Sequence, residues 1–496
     1  MSKRSTQTSA TLITMLAESE RGQGLLYATV YRTVRAAILE GHLPSGSRLP
    51  SSRILAADLS VSRNTIESAY AQLETEGFTG RRVGSGTYVQ PTALLPKHPN
   101  RRRQTPQRIL SPKESLSQRG NLIRLTGGCP EPSVVRPFSG GVPALDAFPV
   151  ELWQRLCSRR LRSLGADSLG YTNPQGDERL RTAIAQYVAT ARGVKCTAAQ
   201  VIVLTSSQQG LDLCVRLLTD PGDSVWLENP GYLGARNAFL AAGAKVVPVP
   251  VDADGLQVSA GVKRAPKARL AYVSPSHQYP TGATLSLRRR IELLDWAEAT
   301  QAWIIEDDYD SEFHYSDRPI AAIQGLDPHQ RVIYIGTFSK VMFPGLRIAY
   351  MVLPRPLVDS FVTARTVLDG HSSAFFQSVL ADFMDNGHFA AHIRRMRLLY
   401  RARRDFLLNV AEGGLSKWIT FGVSDGGLKV VVYAKSAIAD QTFSKKAEAH
   451  GLDLPPLSRL YLSPPVRQGW LVGFAGLTPE VISSGVSLFS RLLRAT

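Results

Sequence analysis

Between residues 201 and 352, short apolar runs rich in β-branched side chains alternate with stretches of helical periodicity, and this alternation restricts the fold more than any single motif does. The runs cover residues 201–205, 224–228, 245–249, 270–274, 303–307, 332–337 and 348–352, with helical stretches at 208–218, 234–242 and 287–299 among them. Strands that are apolar throughout, rather than at every second residue, belong in a sheet buried on both faces. Helices in the connections supply that cover, so the spacing predicts a large α/β domain built on a mostly parallel sheet. Ligands of such sheets lie outside the carboxyl ends of the strands, and the residues there are the ones that carry chemistry.

The run at 332–337 ends in Gly336-Thr337-Phe338-Ser339-Lys340, and Arg347 follows across Pro344-Gly345. A lysine held at a strand end can form a Schiff base with an aldehyde, while hydroxyls and an arginine hold a phosphate. That is the pattern expected of a pyridoxal 5'-phosphate (PLP) lysine. A Ser-Lys pair alone favours the plainer reading, a solvated lysine closing a strand, so the other strand ends decide. Ser206-Ser207-Gln208 stands at a helix start, where free N–H groups and the helix dipole favour a phosphate. Asn229-Pro230-Gly231-Tyr232 offers an aromatic face to a planar ring. Glu306-Asp307-Asp308-Tyr309-Asp310 brings carboxylates to a strand end, and one of them can keep a pyridine nitrogen protonated.

The first ninety residues read differently. Tyr27, Tyr31, Val34 and Ile38 fall on one helical face and Gly41 supplies a stop. Leu49-Pro50-Ser51-Ser52 restarts the chain with a capping serine, and Ser62 caps a third helix whose Ile66, Tyr70 and Leu73 face inward. Residues 79–89 make two short strand-like pieces around glycines, a wing after a helix-turn-helix. DNA contact gives the polar residues a purpose: Ser62, Arg63, Asn64 and Thr65 at the front of the third helix, Arg53 on the second, Arg81 and Arg82 on the wing.

At 496 residues the chain exceeds one ordinary core, and its net charge of +17 points to a polyanionic partner, nucleic acid before membrane. Residues 91–120 are basic and proline-containing without apolar periodicity, so the expected division is 20–90, a flexible basic linker at 91–120, and 121–496. The four cysteines show neither CxxC spacing nor completing histidines, which predicts reduced thiols and no metal site. No signal segment and no spanning apolar run is evident, so the expected location is the cytoplasm.

Leu49-Pro50-Ser51-Ser52-Arg53, Val61-Ser62-Arg63-Asn64-Thr65, Leu73-Glu74-Thr75-Glu76-Gly77 and Gly84-Ser85-Gly86-Thr87-Tyr88-Val89 resemble the winged helix of the GntR family of bacterial transcription regulators. The later motifs resemble, in order and spacing, the fold-type I aminotransferases, and the combination is similar to the MocR/GabR-type regulators. This resemblance implies an N-terminal winged helix-turn-helix of α+β class, and a PLP-dependent aminotransferase-like domain with a smaller α+β C-terminal subdomain. It implies that Lys340 is the Schiff-base lysine, that Asp307 partners the pyridine nitrogen and that Tyr309 donates to the ring hydroxyl. Ser206, Ser207, Gln208, Thr337, Ser339 and Arg347 would surround the phosphate, Tyr232 would stack on the ring, and Tyr171 would reach the phosphate from the other subunit of a homodimer. The implied partners are a double-stranded DNA operator and an effector that is an amine, an amino acid or PLP.

The chain departs from the aminotransferase pattern twice. Tyr279 stands before Pro280-Thr281-Gly282 where many of these enzymes carry asparagine, with His277 nearby. The late strand that usually supplies an arginine for the substrate carboxylate reads Gly469-Trp470-Leu471-Val472-Gly473, with Arg459 and Arg467 as neighbouring substitutes. Loss of a bidentate clamp leaves an α-carboxylate poorly positioned. The favoured reading is therefore a PLP-dependent regulator that is not a working enzyme. An active aminotransferase with an appended DNA-binding domain is the alternative, and a C-terminal domain that only dimerises is a third.

Overall fold

The computed structural model describes residues 26–82, 84–91, 115–128, 134–165, 169–315, 321–423, 425–435 and 438–496. The chain divides into two compact units, Met1–Ile109 and Leu110–Thr496. Most of the expected linker, residues 92–114, lies outside the described residues, as does Cys129.

In the first unit α1 (Leu26–Leu39), α2 (Ser52–Asp58) and α3 (Arg63–Thr75) precede a hairpin of β1 (Thr79–Arg82) and β2 (Gly86–Val89). Ser51 and Ser62 adopt extended backbone at the N-caps, and their side chains accept from the N–H groups of Ile54 and Thr65. Each serine satisfies a helix-end donor that would otherwise be orphaned. The core gathers Val34 and Ile38 with Leu55, Ile66, Tyr70, Leu73 and Val89. The buried face of α1 is rotated from the one expected: Val30 and Ala37 are inside, Tyr31 packs at the core edge, and Tyr27 is 36% exposed. On α1 the tyrosines mark the rim while the compact Val30, Val34, Ala37 and Ile38 face the centre.

The second unit is organised on an eight-stranded sheet of order β3-β10-β9-β8-β7-β4-β5-β6. These strands are β3 (Val201–Leu204), β4 (Ser224–Asn229), β5 (Lys245–Asp252), β6 (Gly255–Leu256), β7 (Leu270–Val273), β8 (Trp303–Asp308), β9 (Val332–Thr337) and β10 (Ala349–Val352). β10 and the short β6 run antiparallel to their neighbours, while β4, β5, β7, β8 and β9 pair in parallel. One face packs on helices Ser207–Leu218 and Leu233–Ala242 through Leu211, Phe239, Ile305 and Ile335. The other packs on Leu287–Thr300 through Leu293, Ala297, Ile304 and Val332. Every residue of β3, β7, β9 and β10 is buried, as strands covered on both sides require.

A smaller antiparallel sheet of β11 (Ile419–Phe421), β12 (Lys429–Ala434) and β13 (Gly469–Gly473) follows the long helix His388–Leu415. Helices Asp440–Ala449 and Pro479–Arg494 contribute Phe443 and Phe489 to its core beside Trp470. The segment expected to be linker ends earlier than residue 120: Ser117 caps a helix, Gln118–Leu125, its hydroxyl accepting from Gly120 N–H. A cap outweighs the sparse apolar pattern there. No helix among the described residues is long and apolar enough to cross a membrane.

Candidate functional site

Alternation along β8 sends Glu306 and Asp308 to one side and Asp307 to the other. Glu306 accepts from the N–H groups of Ile323 and Gln324, at 2.8 and 2.9 Å. Asp308 accepts from Arg192 Nε at 2.7 Å and from the Tyr334 hydroxyl. Both therefore serve the scaffold. Asp307 Oδ2 accepts from the Tyr272 hydroxyl at 2.6 Å, while its Oδ1 is buried with no hydrogen-bond partner. Asp308 Oδ1 is also without a partner, but that carboxylate is already offset by an arginine. Burial pushes the Asp307 carboxyl up to about 7, against the lowering effects of the Tyr272 hydrogen bond and the Lys340 charge. A buried carboxylate oxygen without a donor fits a cationic N–H such as a protonated pyridine nitrogen.

Lys340 leaves β9 through Phe338, which is buried against Tyr350 and Phe389, and Ser339, whose N–H donates to Thr337 Oγ1 at 3.2 Å. The backbone leading to the lysine is thus held by a packed ring and a local turn. Gly141, at φ +71°, lies against its tip: a β-carbon there would stand 3.3 Å from Lys340 Nζ. Arg347 is exposed and adopts a left-handed backbone, φ +53°, at the end of the short turn Pro344–Leu346.

Ser206 caps helix Ser207–Leu218, its hydroxyl accepting from Gln209 N–H at 3.2 Å. Gln208 turns from the helix start toward the neighbouring helix, donating to Gly234 O at 2.9 Å and leaving its buried Oε1 without a partner. Tyr232, Tyr279 and Tyr309 form an edge-to-face series with centroid separations of 5.7 and 6.2 Å. The Tyr309 hydroxyl lies 3.3 Å from His277 Nδ1, which lies 3.0 Å from Asp310 Oδ1. Tyr171 is 99% exposed and stands edge-on to His371.

Tyr272, Gly141 and Lys429 escaped the sequence reading. Tyr272 had a signal, a lone hydroxyl inside an aliphatic strand. So did Lys429, a lysine opening the run Val430-Val431-Val432. Gly141 had none. Of the residues weighed as carboxylate anchors, Arg459 and Arg467 are exposed, and Arg467 lies over the Tyr433 ring at 4.7 Å. Leu471 is packed in an apolar cluster with Val431, Leu457 and Leu460, bordered by Leu233 and Tyr279.

In the first unit Arg53, Ser62, Arg63 and Asn64 are exposed at the starts of α2 and α3, and Thr65 is half-buried. Arg63 Nε pairs with Glu67 at 2.9 Å, and Arg81 Nε with Glu74 at 3.1 Å. Arg82 lies over the Tyr88 ring at 4.9 Å. Glutamates that hold both arginines in place at the surface leave their remaining N–H groups available to an anion.

These two sites define a class of protein: a regulator that joins a DNA-binding winged helix to an aminotransferase fold. Residues 26–89 match the gntR family of bacterial regulatory proteins, and residues 148–484 match aminotransferase class I and II. The chain belongs to the MocR/GabR-type transcription regulators. It is 40% identical over 464 residues to the probable rhizopine catabolism regulatory protein MocR of Rhizobium meliloti, covering 93% of this chain and 92% of that one. It is 31% identical to the HTH-type transcriptional regulator TauR of Rhodobacter capsulatus, covering 95% and 97%. Among solved structures, the kynurenine aminotransferase of Pyrococcus horikoshii superposes with a TM-score of 0.69 at 27% identity, over 78% of this chain and 97% of that one. The α-aminoadipate aminotransferase LysN of Thermus thermophilus gives 0.70 at 26%, over 78% and 99%.

Proposed function

We propose that this transcription regulator binds PLP at Lys340 and through it senses an amine, an amino acid or PLP itself, coupling that event to operator binding by a cytoplasmic homodimer. The observation that carries the reading is the buried, partnerless Oδ1 of Asp307 on the strand beside the one that delivers Lys340. When bound, the cofactor supplies an aldehyde that condenses reversibly with a primary amine. Lys340 is the attachment point, Asp307 holds the pyridine nitrogen protonated, and Tyr309 donates to the ring hydroxyl. Tyr232 lies on the ring. Ser206, Ser207 and Gln208 at the helix start, with Thr337, Ser339 and Arg347, hold the phosphate, and the exposed Tyr171 reaches it from the partner subunit. On the winged helix, Arg53, Ser62, Arg63, Asn64 and Thr65 meet the operator in the major groove, with Arg81 and Arg82 on the wing.

The pocket serves sensing rather than turnover in this reading, because Leu471 offers no guanidinium to fix a carboxylate for proton transfer at Cα. A ligand shifts the regulator between two states only by its differential affinity for them. The test is to reduce the PLP-treated protein with borohydride and locate the modified lysine by peptide mass mapping. Modification at Lys340, lost in Lys340→Ala, is expected. Modification of Lys429 in the same pocket, with Lys340 untouched, overturns the assignment.

A further inference from the structure

The segments that follow β7 and β8 start side by side, because these strands pair in parallel. The first carries His277 and the second carries Tyr309 and Asp310. Asp310 is 1% exposed, and among the described residues its side chain has one hydrogen-bond partner, His277 Nδ1, at 3.0 Å from Oδ1 and 3.1 Å from Oδ2. A carboxylate buried so deeply is costly unless a donor meets it. Near-equal distances fit a single N–H shared between both oxygens. Nδ1 therefore carries a proton, whether the ring holds one or two. Gly427, at φ +76°, makes room for the pair: a β-carbon there would stand 2.2 Å from His277 Cε1 and 2.6 Å from Asp310 Oδ2.

That proton decides what Tyr309 can do. Its hydroxyl lies 3.3 Å from the same Nδ1 and 3.4 Å from Lys429 Nζ. An ammonium offers only donors, and an imidazole nitrogen that bears hydrogen has no lone pair to accept with. Both neighbours thus meet the Tyr309 oxygen as an acceptor, and neither takes its hydrogen. Burial holds this hydroxyl well above its usual range, so the hydrogen stays on it. We infer that Asp310 and His277 are a positioning pair, which fixes the imidazole proton so that Tyr309 donates to the ring hydroxyl of the cofactor and not to the histidine. The inference rests on the cofactor reading above. With Nδ1 bare, the ring would accept the Tyr309 hydrogen at the same 3.3 Å and turn it away from the cofactor. Tyr279, Asp307 and Glu228 also act on Tyr309, and Arg192 and His314 line the small cavity that His277 and Asp310 border. All of these stay unchanged in the comparisons below.

The test has two arms, both on the full-length protein. In the first, nitrogen NMR follows isotope-labelled histidine without cofactor, the His277 signals being assigned by their loss in His277→Gln. A protonated Nδ1 is expected in the parent, and less of it in Asp310→Asn, because an amide N–H can donate to a bare ring nitrogen where a carboxylate cannot. A bare Nδ1 in the parent overturns the inference. In the second arm the visible absorbance of the PLP-loaded protein is followed against pH. Donation from Tyr309 stabilises negative charge on the ring oxygen, so Tyr309→Phe should raise the midpoint of the spectral change by about one pH unit, the size of one hydrogen bond. Asp310→Asn should raise it by much of that amount in the parent, yet leave it unmoved in the Tyr309→Phe background. A pair that only supported the fold would act alike in both backgrounds. Equal shifts in the two backgrounds, or no shift from Asp310→Asn in the parent, overturn the inference. A parent that takes up no PLP sinks the cofactor reading, while the histidine arm still decides whether the pair bars Tyr309 from donating to Nδ1.

Discussion

The Tyr272 hydroxyl donates to Asp307 Oδ2 across neighbouring parallel strands at 2.6 Å and leaves Oδ1 buried without a partner. One tyrosine thereby orients the carboxylate while satisfying half of it. The other half faces the pocket that Lys340 enters, and this asymmetry distinguishes Asp307 from Glu306, whose two oxygens both accept backbone N–H groups.

The sign of the Asp307 shift sets a pH dependence for the cofactor-free protein. Its folded-state pKa of about 7 lies above the ordinary 3.8, so burial favours the neutral form. Stability from this group is fully present below about pH 4 and is lost as pH rises through about 7. The thermal midpoint should therefore fall between pH 6 and pH 8, and fall less in Asp307→Asn, which keeps the acceptor for Tyr272. Glu228 and Glu306, also pushed up to about 7 by burial, maintain part of the slope in the variant. Identical slopes for the two proteins would remove Asp307 as a contributor.

Arg63→Ala should weaken operator binding by about 1–3 kcal/mol, the loss of one good base contact. The variant gives up only an exposed i,i+4 pair with Glu67, so folding should change by less than about 0.5 kcal/mol. PLP binding should be untouched. Gel shifts at fixed salt read the first quantity, and binding equal to the parent's would exclude Arg63 from recognition.

Ser62→Ala removes the N-cap of α3 and should cost about 1 kcal/mol. Because the chain has two compact units, a single melting curve would blur the effect. Hydrogen exchange in residues 63–75 reads it directly, with amide exchange about fivefold faster expected, the equivalent of that free energy.

Full transamination cycles with common amino and keto acids should be negligible. Leu471 lies in an apolar cluster where a clamp would be needed, and a misplacement of about 1 Å can cost on the order of a hundredfold in rate. The measurement is steady-state turnover of amino and keto acid pairs on the PLP-loaded protein. Multiple turnovers that vanish in Lys340→Ala would make the chain a working aminotransferase.

Residue order alone determined the elements and their chemistry wherever short-range rules suffice. The caps at Ser51 and Ser62 follow from serine's reach to the next turn, and strands β3 to β5 and β7 to β10 follow from apolar runs, whereas the two-residue β6 was not visible. Lys340 after β9 and the carboxylates at the end of β8 were visible for the same reason: a strand end is a local feature. Even there the α1 face came out rotated, because Val30 and Ala37 are chosen by what α3 presents to them.

Only the tertiary structure decided which carboxylate keeps an oxygen unpaired with no arginine against it, since Asp308 has Arg192 and Asp307 does not. Asp307, Asp308 and Glu306 are equivalent in sequence, and their difference comes from donors on other elements: Tyr272, Arg192 and the backbone before Leu326. It also decided that Gln208 bonds to Gly234, and that Lys429, from a separate sheet, meets Tyr309. Such contacts join residues far apart in the chain, and no local periodicity encodes them. They arise when the order β9-β8-β7-β4 sets the strand ends side by side and the small sheet packs its β12 face against them.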